Sequence, residues 1–212
     1  MTQTVTRLFD TYADAKSAVA ELESLGIPHG DLSLVANNAD GAHGEHEGVD
    51  DHGDVTRGTS TGAVLGGAGG LLAGLGLLAI PGLGPIVAAG WLAATAAGAG
   101  IGALGGAATG SIVGALKNAG HTEEEAHVYS EGVRRGGTLV SARVPDDLAP
   151  QAEAVLARHN AVDAATRGSA YRQDGWSSFD ETAPAYTHDQ VIAERSRYGT
   201  ATEHVPTSTS SF

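Results

Sequence analysis

Three histidines, His43, His46 and His52, stand among Glu45, Glu47, Asp50, Asp51 and Asp54. Neutral imidazole and carboxylate are ligands that Zn, Ni and Cu accept, so these histidines are the candidate metal ligands. Their spacing is loose, and no residue is evident to orient the rings. Asn37 to Arg57 carries six carboxylates against one arginine. A solvated acidic linker is the preferred reading, with weak divalent-metal capture as the runner-up. A second cluster joins His121, Glu123, Glu124, Glu125 and His127. Thr122-Glu123-Glu124-Glu125 is a capping-box pattern, and carboxylates complement the positive end of a helix. A structural cap is preferred there over an acid–base pair. No nucleophile, base and orienting group stand together, so no catalytic residue and no cofactor is assigned. The chain is read as non-enzymatic.

Two motif matches are discounted. Gly58-Thr59-Ser60-Thr61-Gly62 fits a nucleophile elbow, but an acidic linker precedes it where a buried strand is needed. Gly100-Ile101-Gly102-Ala103-Leu104-Gly105 fits a dinucleotide fingerprint, but no strand leads into it.

The second match lies inside a larger pattern. From Gly58 to Leu116 there is no Asp, Glu, Lys, Arg or His. Gly62, Gly66, Gly70 and Gly74 form one four-residue ladder, and Gly98, Gly102, Gly106, Gly110 and Gly114 a second. In a helix this spacing puts each set on one face. A glycine costs a helix roughly 1 kcal/mol relative to alanine, and close backbone packing can offset that. The expectation is a glycine-zipper helical hairpin with these nine glycines as helix-packing positions. Its helices would run from Ser60 to Ala79 and from Ile86 to Leu116, about a turn at Ile80 to Pro85. The first would be roughly 30 Å long, the thickness of a bilayer core. Trp91 near the hinge would mark an interface. Insertion in a membrane is the preferred reading, and burial in a soluble oligomer the alternative.

The formal charge of −13 argues against nucleic-acid binding and against electrostatic docking on anionic lipid. There is no cysteine, which excludes thiol chemistry. Met1 to Phe9 has one basic residue and no apolar run of signal-peptide length. The expected place is the inner (cytoplasmic) membrane, with the folded domain facing the cytoplasm; the alternative is the cytoplasm. The expected partners are the lipid bilayer and further copies of the chain.

Outside the hairpin the pattern is α+β. Thr4 to Phe9 alternates as a strand, Asp10 or Thr11 caps a helix carrying Tyr12, Ala15, Val19 and Leu22, and Leu32 to Ala36 is a second strand. After the hairpin come a helix from Thr122 to Gly136, a strand over Thr138 to Val144, and a helix opened by Asp146 or Asp147. A short strand over Val162 to Thr166 follows. These halves suggest one ferredoxin-like split βαβ domain paired across the insertion. The expected units are 1–36 and 118–168 for the two halves, 37–57 for the linker, 58–117 for the hairpin, and 169–212 for a polar, mostly disordered tail. Within that tail Thr187 to Gln190 is a capping box for a short helix to Tyr198, and Trp176 and Phe179 either dock on the domain or bind a partner. If the hairpin inserts, Arg134 and Arg135 could face phospholipid headgroups.

Several stretches resemble the bacterial heat-induced, general stress protein 17M-like domain. They are Val5-Thr6-Arg7-Leu8-Phe9-Asp10-Thr11 with Ala15, Ala18 and Leu22 to Ile27; Ile80 to Pro85 with Ala88-Ala89-Gly90; and, most specifically, His121 to Ala126 with Tyr129, Gly132 to Gly137, Leu139 and Val140. The resemblance covers Thr4 to Thr166. It implies a role in bacterial stress responses and brings no catalytic activity or cofactor.

Overall fold

The computed structural model describes residues 1–39, 41, 76–80, 82–101 and 111–199. One antiparallel sheet runs through it, in the order β1-β5-β2-β4-β3. Strand β1 is Thr2–Phe9, β2 Leu32–Asn37, β3 Gly76–Ile80, β4 Gly84–Gly90 and β5 Thr138–Pro145. The helices among the described residues are α1 (Tyr12–Ser24), α2 (Trp91–Ile101), α3 (Ile112–Asn118), α4 (Glu123–Arg134), α5 (Ala149–Arg158), α6 (Ala164–Gln173) and α7 (His188–Gly199). The protein is thus α+β.

The two halves pair as expected. Central strand β5 lies between β1 and β2, with Leu139 opposite both Leu8 and Val35. Strand β1 sends Val5 and Phe9 to one face and Thr6 and Leu8 to the other. Helices α1 and α5 cover the first face through Ala15, Ala18, Val19, Leu22, Ala152, Val155 and Leu156. Helices α2, α3, α4 and α6 cover the second through residues such as Leu92, Leu116, Tyr129 and Tyr171. Strands β1, β5, β2 and β4 are therefore covered on both sides, while β3 is largely exposed.

Local signals explain most ends. Thr11 caps α1 by accepting from the Asp14 N–H, and the Thr122–Glu125 capping box opens α4. Thr187 and Gln190 cap α7 reciprocally. Two expected starts differ. Helix α5 begins after Leu148 with no side-chain cap, so neither Asp146 nor Asp147 opens it. The strand at Val162 to Thr166 shrinks to one antiparallel bridge between Leu8 and Val162, because Asp163 caps α6 immediately.

The glycine-zipper hairpin requires the largest correction. Gly76–Ile80 and Gly84–Gly90 are strands, where helix ends were expected. The Leu83 N–H donates to the Ile80 carbonyl at 3.0 Å, and Gly82 sits at φ +77°. That is where a Pro-Gly sequence places glycine in a type II turn. Strand β4 then fills the vacant edge of β2, placing Ile86, Val87, Ala88 and Ala89 in the cores. Ladder bonds and burial on both faces outweigh the weak helix preference of a glycine-rich run. Trp91 has partners within the domain: its indole N–H donates to the Asp31 carbonyl at 3.1 Å, and the Arg143 guanidinium lies over its ring. Gly98 lies in α2. At Gly114, in α3, an added Cβ would meet, among the described residues, Ser111 Cβ at 3.9 Å. Gly62, Gly66, Gly70, Gly74, Gly102, Gly106 and Gly110 lie outside the described residues, as does most of the acidic linker.

The expectation of a mostly disordered tail changes for residues 169–199, while residues 200–212 lie outside the described residues. Ser169 to Gln173 belongs to α6, and α7 runs to Gly199. Between them Phe179 is buried, and Trp176 is packed against the second core. Beside them a strap at Asp180 to Ala185 crosses the β3–β4 turn. A Cβ on Gly82 would lie 2.9 Å from Glu181 Cα, and one on Gly84 2.8 Å from Ala185 Cβ.

Candidate functional site

Two polar networks lie on the second face of the sheet. The first starts at the α4 N-terminus. His121 precedes the capping residue Thr122, and its Nε2 lies 2.7 Å from Thr6 Oγ1 on β1. Thr6 Oγ1 is 2.9 Å from Ser141 Oγ on β5. The Tyr129 hydroxyl donates to the Thr6 carbonyl at 2.8 Å. Glu125 Oε2 approaches His121 Nδ1 only to 3.7 Å, an electrostatic contact beyond hydrogen-bond range. Carboxylate, imidazole and hydroxyl thus follow the order of a hydrolytic triad. Thr6 and Ser141 are each 1% exposed, so no substrate carbonyl reaches either oxygen in this conformation. The chain of bonds ties β1 and β5 to the start of α4.

Burial holds the His121 pKa below its ordinary 6.5, with Glu125 opposing and Arg7 adding to the shift. Burial also pushes the Tyr129 phenol up to about 12. A depressed histidine pKa means the folded state binds a proton less readily than the unfolded state. The stability involved is present above 6.5 and is lost as the pH falls below it. The unfolding temperature should therefore drop as the pH is lowered from neutral toward 5. His121→Gln, which keeps a partner for Thr6, should flatten that dependence in matched thermal melts. Parallel curves for the two proteins would show that His121 carries none of it.

The second network holds the C-terminal segment. Glu131 on α4 is fully buried. Its Oε1 accepts from Arg134 Nη2 at 3.0 Å and from Arg135 Nε at 2.7 Å, while Oε2 lies 2.9 Å from Arg134 Nη2. Arg135 also donates to Glu194 on α7 at 3.1 Å, and its guanidinium lies 4.3 Å from the Tyr171 ring centre. Arg134 lies over both Phe179 and Tyr186. Arg167 on α6 grips Asp10 through contacts of 2.6 and 2.8 Å and covers Tyr198. Burial works against the charge on Arg135, but the Glu131 carboxylate holds its pKa above the ordinary value. Burial pushes the Tyr171 phenol upward as well. A hollow of about 10 Å³ among Asp10, Arg135, Arg167, Glu194 and Tyr198 has room for one water.

This second arrangement clamps one segment to the domain. It corrects the headgroup-facing expectation for Arg134 and Arg135, whose side chains are only 11% and 10% exposed. Trp176 and Phe179 both pack on the domain. The sequence reading missed Asp10, Arg167, Tyr171, Glu194 and Tyr198. For Glu194 and Tyr198 the local signal was the capped helix opened at Thr187; Asp10, Arg167 and Tyr171 carried none for this role.

His43, His46 and His52 lie outside the described residues. Among the described residues no group of histidine and carboxylate side chains is placed to hold a metal ion. His127 Nε2 stands 3.9 Å from Glu123 Oε1, one turn away on α4. No family model matches the chain, and no curated protein or solved structure is significantly similar to it.

Proposed function

We propose that the protein is a non-enzymatic bacterial stress-response protein that works by association, through its charge-free segment, with further copies of itself. The stress reading rests on the resemblance of its outer segments to the general stress protein 17M-like domain. The matching fold reading is a ferredoxin-like split βαβ domain. It is supported by the order Val162-β1-β5-β2 and by α1 and α5 sharing one face. The β4–β3 hairpin widens that unit at its β2 edge.

One observation carries the associative reading. The uncharged stretch from Gly58 to Leu116 enters the domain at β3, β4, α2 and α3, and among the described residues it leaves an uncharged strand at the sheet edge. Membrane attachment by the same stretch is the second reading, favoured by its complete lack of ionisable side chains. The expected spans are shortened, however. With β3 starting at Gly76, a helix from Ser60 would extend roughly 24 Å, short of a bilayer core. Much of the second expected span lies in β4, α2 and α3. Among the described residues no helix is long and apolar enough to cross a membrane.

Fractionation of cells with a carbonate wash, followed by light scattering without detergent, tests the choice. The expected result is a detergent-free oligomer larger than the 21.3 kDa chain. A carbonate-resistant membrane pellet would favour the second reading. A detergent-free monomer at all concentrations would overturn the proposal.

A further inference from the structure

Among the described residues, strand β3 is an outer edge of the sheet. Its inner side pairs with β4, and among the described residues nothing pairs with its outer side. Soluble proteins usually blunt such edges with charge, proline or a bulge. Gly76-Leu77-Leu78-Ala79-Ile80 carries no charge, and Leu77 is 65% exposed.

The direction of its backbone groups follows from Pro85, which faces Ala79 across the ladder. Proline has no N–H, and the Pro85 carbonyl accepts from the Asn38 N–H at 2.9 Å, on the β2 side. Ala79–Pro85 is therefore a non-hydrogen-bonded pair, and by alternation Leu77–Val87 is another. The N–H and C=O groups of Leu77 and Ala79 point outward.

The geometry points to a homodimer in which β3 pairs antiparallel with β3 of a second copy, about a two-fold axis at Leu78. This rests on the associative reading above and names its surface. Leu77 and the partner's Ala79 exchange both backbone bonds, and Leu78 faces the partner's Leu78. Leucine and alanine side chains meet on one face of the joined sheet, and two leucines on the other.

A second copy fits better than lipid. Hydrocarbon cannot satisfy four outward backbone groups, whereas an identical strand supplies their complements. Two chains of charge −13 repel over most of their surfaces, and this edge brings no charges together. The two-fold contact also closes on itself, so growth stops at the dimer. A five-residue ladder by itself falls well below the roughly 1,200 Å² of a stable interface, so the dimer should exchange readily.

Because the chain has no cysteine, Leu78→Cys places its single thiol on the proposed axis. Facing Cα atoms in a non-hydrogen-bonded pair are about 4.5 Å apart, within disulfide range. Under mild oxidation this variant should form covalent dimer at least about tenfold faster than Ser24→Cys, exposed at the end of α1, because pairing raises the local thiol concentration. Ala79→Pro removes an outward N–H and spares the β3–β4 bonds. It should yield monomer in sedimentation velocity with an unchanged circular dichroism spectrum. Leu77→Lys, at an exposed position, should weaken the dimer likewise and serves if proline disturbs the hairpin. Self-association unaffected by Leu77→Lys, with equal oxidation rates at positions 78 and 24, would overturn this pairing and leave the associative reading standing. A wild type that stays monomeric at every concentration would overturn both.

Discussion

Gly90→Ala should destabilise the protein by at least about 3 kcal/mol, lowering the unfolding temperature by roughly 6–12 °C for a chain of this size. Gly90 ends β4 opposite Ser33 and runs directly into α2. Its φ is +88°, and a Cβ there would lie 2.1 Å from the Leu32 carbonyl oxygen and 2.7 Å from Ser33 Cα. Those are backbone atoms of a neighbouring strand and cannot rotate away. Gly26→Ala is the control. Its φ is +93°, but its Cβ would meet nothing within 4 Å. It should cost only the conformational strain, about 1–2 kcal/mol. Urea unfolding of the two variants separates the effects. The experiment also judges the sheet. Were Gly90 inside a helix starting at Ile86, alanine would stabilise by roughly 1 kcal/mol. A stabilising Gly90→Ala would return that segment to a helix.

The second large effect lies at Glu131. Glu131→Ala should cost about 3–5 kcal/mol, because it leaves Arg134 and Arg135 poorly compensated in a largely buried place. The loss should extend along the chain. Arg134 holds Phe179 and Tyr186, and Arg135 holds Glu194. Limited proteolysis should therefore cut the variant between Gly175 and His188 faster than the wild type. The surface pair Arg158–Glu21 is the comparison. Its side chains are 62% and 39% exposed, and Arg158→Ala should cost below about 1 kcal/mol. Equal losses from Glu131→Ala and Arg158→Ala, with equal cleavage, would mean that the buried network does not hold the segment.

The outer elements were legible for local reasons. Alternation in β1, the Thr122 capping box and the glycine after α1 each act over a few residues. The β3–β4 hairpin was obscured by its place between two glycine ladders that read as helix, although none of the ladder glycines lies in either strand. The vacant edge of β2 that receives β4 belongs to the tertiary structure and leaves no local signal. The His121–Thr6 bond was hidden for a related reason. It requires α4 to lie across β1, and nothing near either residue encodes that crossing. Asp10 and Arg167 meet from opposite ends of the domain in the same way. The tail misled by its polarity, since its few aromatic side chains supply apolar contacts while arginines satisfy the surrounding charges.

The position of β5 imposes an order of events during synthesis. Both of its ladder partners come from the first 37 residues, but β5 itself begins at Thr138. At ribosomal speeds of about 5–20 residues per second, the middle strand follows β2 by roughly 5–20 s. Throughout that delay β1 and β2 have a gap between them, and the uncharged stretch emerges before the sheet that will receive part of it. A nascent chain of this kind therefore exposes its most apolar surface early and covers it late.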